Sequence, residues 1–87
     1  MSQENADDLV PVEASVNSIF YAQPNPGEPT FVKEGDQVEE DTVICLLEIM
    51  KCFRSIPAGV KGTVEKVLVE SGQMVQKGEA VMLIRPE

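Results

Sequence analysis

Apolar residues along this chain come in short runs rich in valine and isoleucine, cut repeatedly by turn residues. The cuts fall at Glu34-Gly35-Asp36, Glu40-Asp41, Pro57-Ala58-Gly59, Ser71-Gly72-Gln73 and Lys77-Gly78-Glu79. Runs of this length and composition, bounded this way, predict strands near Val12–Phe20, Val43–Ile49, Phe53–Ile56, Thr63–Val69 and Ala80–Ile84. No stretch of a dozen residues keeps a helical period; Val32 to Glu40 comes nearest and is interrupted by Gly35 and two valines. The first residues are polar, acidic and aperiodic. The expected division is therefore a disordered tail over 1–10 and one all-β domain over 11–87.

An internal repeat sharpens the fold. Val32-Lys33-Glu34-Gly35-Asp36-Gln37-Val38 overlays Val69-Glu70-Ser71-Gly72-Gln73-Met74-Val75 at an offset of 37 residues (Gly35 to Gly72). Carried forward, the register places Val43-Ile44 over Ala80-Val81 and Leu46-Leu47 over Leu83-Ile84. Carried back, it places Ser18-Ile19 over Ser55-Ile56, and Tyr21 to Thr30 finds no counterpart. Halves this short cannot each bury an apolar face alone. They predict a flattened barrel or sandwich of two sheets related by a pseudo-twofold axis.

Composition narrows what such a fold can do. Eighty-seven residues allow one modest core, and with three Phe, one Tyr and no Trp that core must be built from Val, Ile and Leu. Fifteen acidic residues against seven basic give a net charge of -8, which repels phosphate backbones and anionic lipid, so neither nucleic acid nor membrane is an expected partner. No apolar run approaches the roughly 20 residues of a membrane span, and nothing at the N-terminus marks export, so a cytoplasmic location is expected. The chain has no histidine and two cysteines, Cys45 and Cys52. Two thiolates do not make a four-ligand zinc site, and a serine or cysteine nucleophile would lack a histidine base, so hydrolytic chemistry carried by this chain is not expected. Cys45 lies inside Val43-Ile44-Cys45-Leu46-Leu47 and reads as a buried small hydrophobe.

Lys51 falls at the joint between the halves, in a predicted two-residue turn, Met50-Lys51, that lacks the usual Gly or Asn. A lysine closing a turn is ordinarily just an exposed lysine. Here Met50, Cys52 and Phe53 put apolar side chains where water favours polar ones, which points to recognition of the tip by another molecule.

Glu48-Ile49-Met50-Lys51-Cys52 resembles the biotinylation motif Glu-Ala-Met-Lys-Met, and Gly62 to Val75 is similar to the second half of biotin carboxyl carrier domains. The resemblance runs from about Val12 to Arg85. It implies a flattened β-barrel of two four-stranded sheets, with biotin joined through an amide to Lys51 and flanked by Glu48, Met50 and Cys52. Partners implied are a biotin protein ligase, a biotin carboxylase and a carboxyltransferase, with this chain the non-catalytic carrier subunit that shuttles a carboxyl group between the last two. The proline-rich insertion Ala22-Gln23-Pro24-Asn25-Pro26-Gly27-Glu28-Pro29 resembles the thumb of the carrier of multisubunit acetyl-CoA carboxylase, although it also reads as an ordinary stiff loop. Ile49 and Cys52 replace alanine and methionine of the motif, and Ser18 stands where the family commonly has glycine. A lipoyl carrier and an unmodified carrier-like subunit remain alternatives.

Overall fold

The computed structural model of the chain describes residues 9–25 and 27–87. Eight strands follow one another: β1 (Val10–Glu13), β2 (Ser18–Tyr21), β3 (Gln37–Val38), β4 (Val43–Ile49), β5 (Cys52–Pro57), β6 (Gly62–Val67), β7 (Met74–Val75) and β8 (Ala80–Pro86). They form two four-stranded antiparallel sheets, ordered β1-β8-β6-β3 and β5-β4-β2-β7. Each sheet takes strands from both halves of the chain. Alternate residues of both sheets turn inward and form the core, in which Phe20, Ile44, Leu47, Met82 and Ile84 are fully enclosed. Truncating any of these to alanine costs roughly 2–5 kcal/mol.

The pseudo-twofold extends to individual hydrogen bonds. Val64 N–H donates to the Asp36 carbonyl at 2.8 Å and Gly35 N–H to the Val64 carbonyl at 2.8 Å; Phe20 N–H to Gln73 at 2.9 Å and Gly72 N–H to Phe20 at 2.7 Å repeat the pattern. The turns repeat it too, with different side chains. Asp36 accepts from Lys33 N–H and Gln73 from Glu70 N–H, while Thr42 accepts from Glu39 N–H and Glu79 from Gln76 N–H. Gly35 (φ 96°) and Gly72 (φ 89°) hold matching left-handed positions that other residues adopt only with strain.

Three expectations need correction. The predicted strand Val12–Phe20 is two strands, β1 and β2, in different sheets. The chain crosses between sheets at Ala14 to Asn17, where Ala14 exchanges backbone bonds with Glu79 and Gly78, and Asn17 Oδ1 accepts from Lys77 N–H at 2.8 Å. Val12, Ala14, Ser18 and Phe20 face the same core while Val16, in phase with them, is exposed at the corner, so an apolar period of two in the sequence hides the change of sheet. Strands β3 and β7 are not among the expected strands: each has two residues and buries one valine, Val38 or Val75, too little to make a pattern. The backward register is also different. Val12 faces Met82 as Ile56 faces Cys45, so β1 overlays β5 at an offset of 44 (Val12 to Ile56), and Ser18-Ile19 corresponds to Gly62-Thr63 instead of Ser55-Ile56. The proline-rich insertion lies between the two registers and changes the offset from 37 (Gly35 to Gly72) to 44.

Of the expected tail, residues 1–8 lie outside the described residues, and Val10 already pairs with Ile84.

Candidate functional site

Strands β4 and β5 pair from Val43 opposite Pro57 to Ile49 opposite Cys52, leaving Met50 and Lys51 as the two-residue tip of a hairpin. Both tip residues are left-handed, with φ 51° at Met50 and 68° at Lys51. This is the arrangement of a type I′ turn, whose twist matches that of the flanking strands. Glycine or asparagine normally occupies it, because each side chain placed there costs roughly 1–2 kcal/mol. The unfavourable residues are held where they are by a ladder that is unbroken from Ile49 opposite Cys52 down to Cys45 opposite Ile56. Lys51 is exposed, and Met50 is 91% exposed.

Below the tip, Tyr21 ties β2 to both arms of the hairpin. Its hydroxyl donates to Glu48 Oε1 at 2.9 Å, and its ring lies tilted against Phe53 with centroids 5.7 Å apart. The bond to the Glu48 carboxylate, then partial desolvation, then the negative charge itself push the Tyr21 phenol above its ordinary range. Cys52 is an exposed free thiol beside Lys51, whereas Cys45 is enclosed in the core, where burial pushes its thiol up to about 12.

The insertion stands beside this hairpin. Its base is closed by Phe31 N–H donating to the Ala22 carbonyl at 2.9 Å, and its far end by Glu28 N–H donating to the Asn25 carbonyl at 3.1 Å. Ser71 Oγ accepts from Ala22 N–H at 2.6 Å and donates to Gln23 Oε1 at 3.3 Å, which leans the insertion on the turn after β6. Gln23, Pro24 and Asn25 face Tyr21 and Phe53 across an open groove of about 450 Å³, floored by Ser71 and Gly72. Ala22 itself packs against the core and belongs to the framework more than to the projection. Pro26 lies outside the described residues.

The structure thus puts Glu48, Met50, Lys51 and Cys52 on one hairpin, and places Gln23, Pro24 and Asn25 across the groove from Phe53. The sequence marks Tyr21 only as the start of the insertion, and singles out neither Ser71 nor, on the other side of the hairpin, Ile19 and Met74, which line a shallower trough of about 230 Å³ with Glu48, Ile49 and Met50. Only the correct half-to-half register would have singled them out.

A family profile, Biotin_lipoyl, described as biotin-requiring enzyme, matches residues 11–84. The chain belongs to the Biotin_lipoyl family. This Biotin_lipoyl chain is 48% identical over 65 residues to the biotin carboxyl carrier protein of acetyl-CoA carboxylase of Chlamydia muridarum, covering 75% of the chain and 40% of that relative. It is 37% identical over 76 residues to a chloroplastic carrier protein of the same description from Arabidopsis thaliana, covering 87% of the chain and 30% of the relative. It therefore spans less than half the length of these curated relatives. Among solved structures, a single-chain, multi-domain long-chain acyl-CoA carboxylase superposes with a TM-score of 0.77 over 92% of this chain and 7% of that one at 19% identity, a likeness of fold. The urea carboxylase of Kluyveromyces lactis superposes with a TM-score of 0.73 at 28% identity, over 90% of this chain and 6% of that one. No helix of the described residues is long and apolar enough to cross a membrane.

Proposed function

We propose that this Biotin_lipoyl domain is a biotin carboxyl carrier, with biotin attached through an amide to Nζ of Lys51, and that it serves a carboxylase of the acetyl-CoA carboxylase type. The observation that carries this reading is the exposed Lys51 in a left-handed turn that glycine would fill more easily. Side chains kept at strained backbone positions tend to be kept for what they do. The names of the similar carrier proteins agree with it.

The residues at hand fit the group. An extended lysine at a rigid hairpin tip can enter a ligase, and an open groove with an aromatic wall, Tyr21 and Phe53, and amide side chains, Gln23 and Asn25, lies within the same sheet face. For attachment, the deprotonated Lys51 amine attacks the acyl carbon of biotinyl-adenylate; the C–N bond forms, the C–O bond to phosphate breaks, AMP leaves and the nitrogen gives up a proton. Attached biotin supplies the nitrogen that carries the carboxyl group. The protein's part is position: tethering holds the group at an effective concentration on the order of millimolar at a biotin carboxylase and then a carboxyltransferase. This domain acts as a carrier, and the chemistry belongs to those partners.

Intact-mass measurement after incubation with a biotin ligase, ATP and biotin should show one adduct, missing in Lys51→Arg. An adduct elsewhere, or lipoate in place of biotin on protein from its own source, overturns the assignment. Gln23 to Pro29 act as a thumb over the attached group. Replacing them by a short glycine-containing turn between Ala22 and Thr30 should leave Tm nearly unchanged, since loop length costs only about 0.6 kcal/mol per doubling, and should slow carboxyl transfer. A large loss of Tm with transfer intact makes the insertion structural.

A further inference from the structure

The pseudo-twofold supplies an internal control for the surface around Lys51. On the outer face of the β5-β4-β2-β7 sheet, Phe53, Glu48, Ile19 and Met74 stand opposite one another in a single cross-strand row. The equivalent row on the outer face of the other sheet ends in Arg85, Thr63 and Gln37, also directly opposed. One backbone arrangement thus accepts threonine and glutamine where the Lys51 face has isoleucine and methionine, while Phe53 has an apolar counterpart in Leu9. The fold does not require apolar residues at positions 19 and 74.

Met74 is 71% exposed and Phe53 59% exposed, and Ile19 lies between Met74 and Glu48. Exposed methionine and aromatic side chains grouped in this way are the composition of the centre of a protein interface. We infer that this face, as far as Met74 on β7, is the docking surface for the ligase that acylates Lys51, an inference that rests on the function proposed above. Two features favour that occupant. The trough lined by Ile19 and Met74 continues without a break into Ile49 and Met50, so an enzyme that takes in the Lys51 amine is brought against it. The face is also negative at its centre: Glu48 accepts a bond from the neutral Tyr21 and has no cationic partner among the described residues. With the chain at -8, the complementary surface is apolar with a basic centre, which a second copy of this chain does not offer.

The test transplants one face onto the other. Ile19→Thr with Met74→Gln gives the site face the residues that Thr63 and Gln37 already provide opposite, and Thr63→Ile with Gln37→Met is the reciprocal control. With a biotin ligase, ATP and biotin, the first pair should raise KM for the carrier roughly tenfold at unchanged kcat, and the control should stay within about twofold. Met74→Gln alone, at an exposed position, should give a smaller rise and guards against misfolding of the double variant. Unchanged KM in the first pair, or an equal rise in both, overturns the inference. A wild-type dimer in sedimentation that dissociates on Ile19→Thr with Met74→Gln also overturns it and gives the face to a second copy. Absence of any adduct on the wild type overturns instead the role of Lys51.

Discussion

Glu65 and Arg85 meet across β6 and β8 with Nε to Oε1 at 3.1 Å, and Tyr21 and Glu48 meet across β2 and β4 at 2.9 Å. The pseudo-twofold puts each pair where the other would fall. In the first, carboxylate and guanidinium cancel on a solvated face, a contact worth about 0–1 kcal/mol. In the second, a phenol stands in place of the carboxylate and a carboxylate in place of the cation, so one negative charge is left beside the Lys51 hairpin, and the phenol ring is free to lean on Phe53. Backbone bonds and core positions repeat between the halves, whereas the departures, Tyr21, Glu48, Ile19, Met74 and the insertion, gather on the sheet that carries Lys51.

The two cysteines offer the widest contrast between repeated and unrepeated positions. Cys45 corresponds to the buried Met82 of the other half, and Cys52 to nothing but the hairpin. A thiol reagent under native conditions should modify Cys52 faster than Cys45 by at least roughly a hundredfold, because Cys45 reacts only when the core opens. Comparable rates would mean that the core is not closed over Cys45. Burial holds that thiol at about 12 against an ordinary 9.0, so the fold favours the protonated form. Its contribution to stability is complete below pH 9.0 and is lost as the pH climbs through about 12.

Ser18 and Gly62 are equivalent, and the comparison can be broken there. A Cβ at Gly62 would run into the backbone carbonyl of Arg85, whereas Ser18 already fits a side chain at its buried site and donates to the Val16 carbonyl. Gly62→Ala should cost roughly 1–3 kcal/mol in urea unfolding at an unchanged m-value, and Ser18→Ala less than about 1 kcal/mol. Equal losses would show that the halves are more alike at this position than their contacts indicate.

Much of this architecture could be read from the chain. The strand runs, the glycines at 35 and 72 and the repeat pointed to two sheets and a joint at Lys51, because strands with one buried face leave a period of two. The Met50-Lys51 turn was legible for the same reason: ladder positions on both sides fixed its length. The corner at Ala14 to Asn17 was not, since Val16, exposed there, is apolar and in phase with the buried residues on either side, so the sequence shows no break. Nor was the Tyr21 bond to Glu48, which joins residues 27 positions apart and depends on the register between β2 and β4. Repeat overlay at a single offset obscured it, because the insertion shifts that register.

The smallest expected effect probes the Tyr21 and Glu48 pair itself. Tyr21 is the sole tyrosine and there is no tryptophan, so phenolate absorbance reports on this one hydroxyl. In the folded protein it should ionise above 10.0, because the bond to Glu48 favours the protonated phenol. Glu48→Gln keeps an acceptor but removes the charge, and should bring the midpoint back towards 10.0, while Arg85→Gln, on the equivalent pair of the other sheet, should leave it unmoved. A phenol whose folded value is raised contributes its full share below pH 10.0 and loses it as the pH rises through the folded midpoint, so wild type should lose stability more steeply than Tyr21→Phe in that window. A wild-type midpoint at 10.0, or one indifferent to Glu48→Gln, would show that the phenol and carboxylate do not share a proton in solution, and the two cross-strand pairs would then be equivalent in everything but residue type.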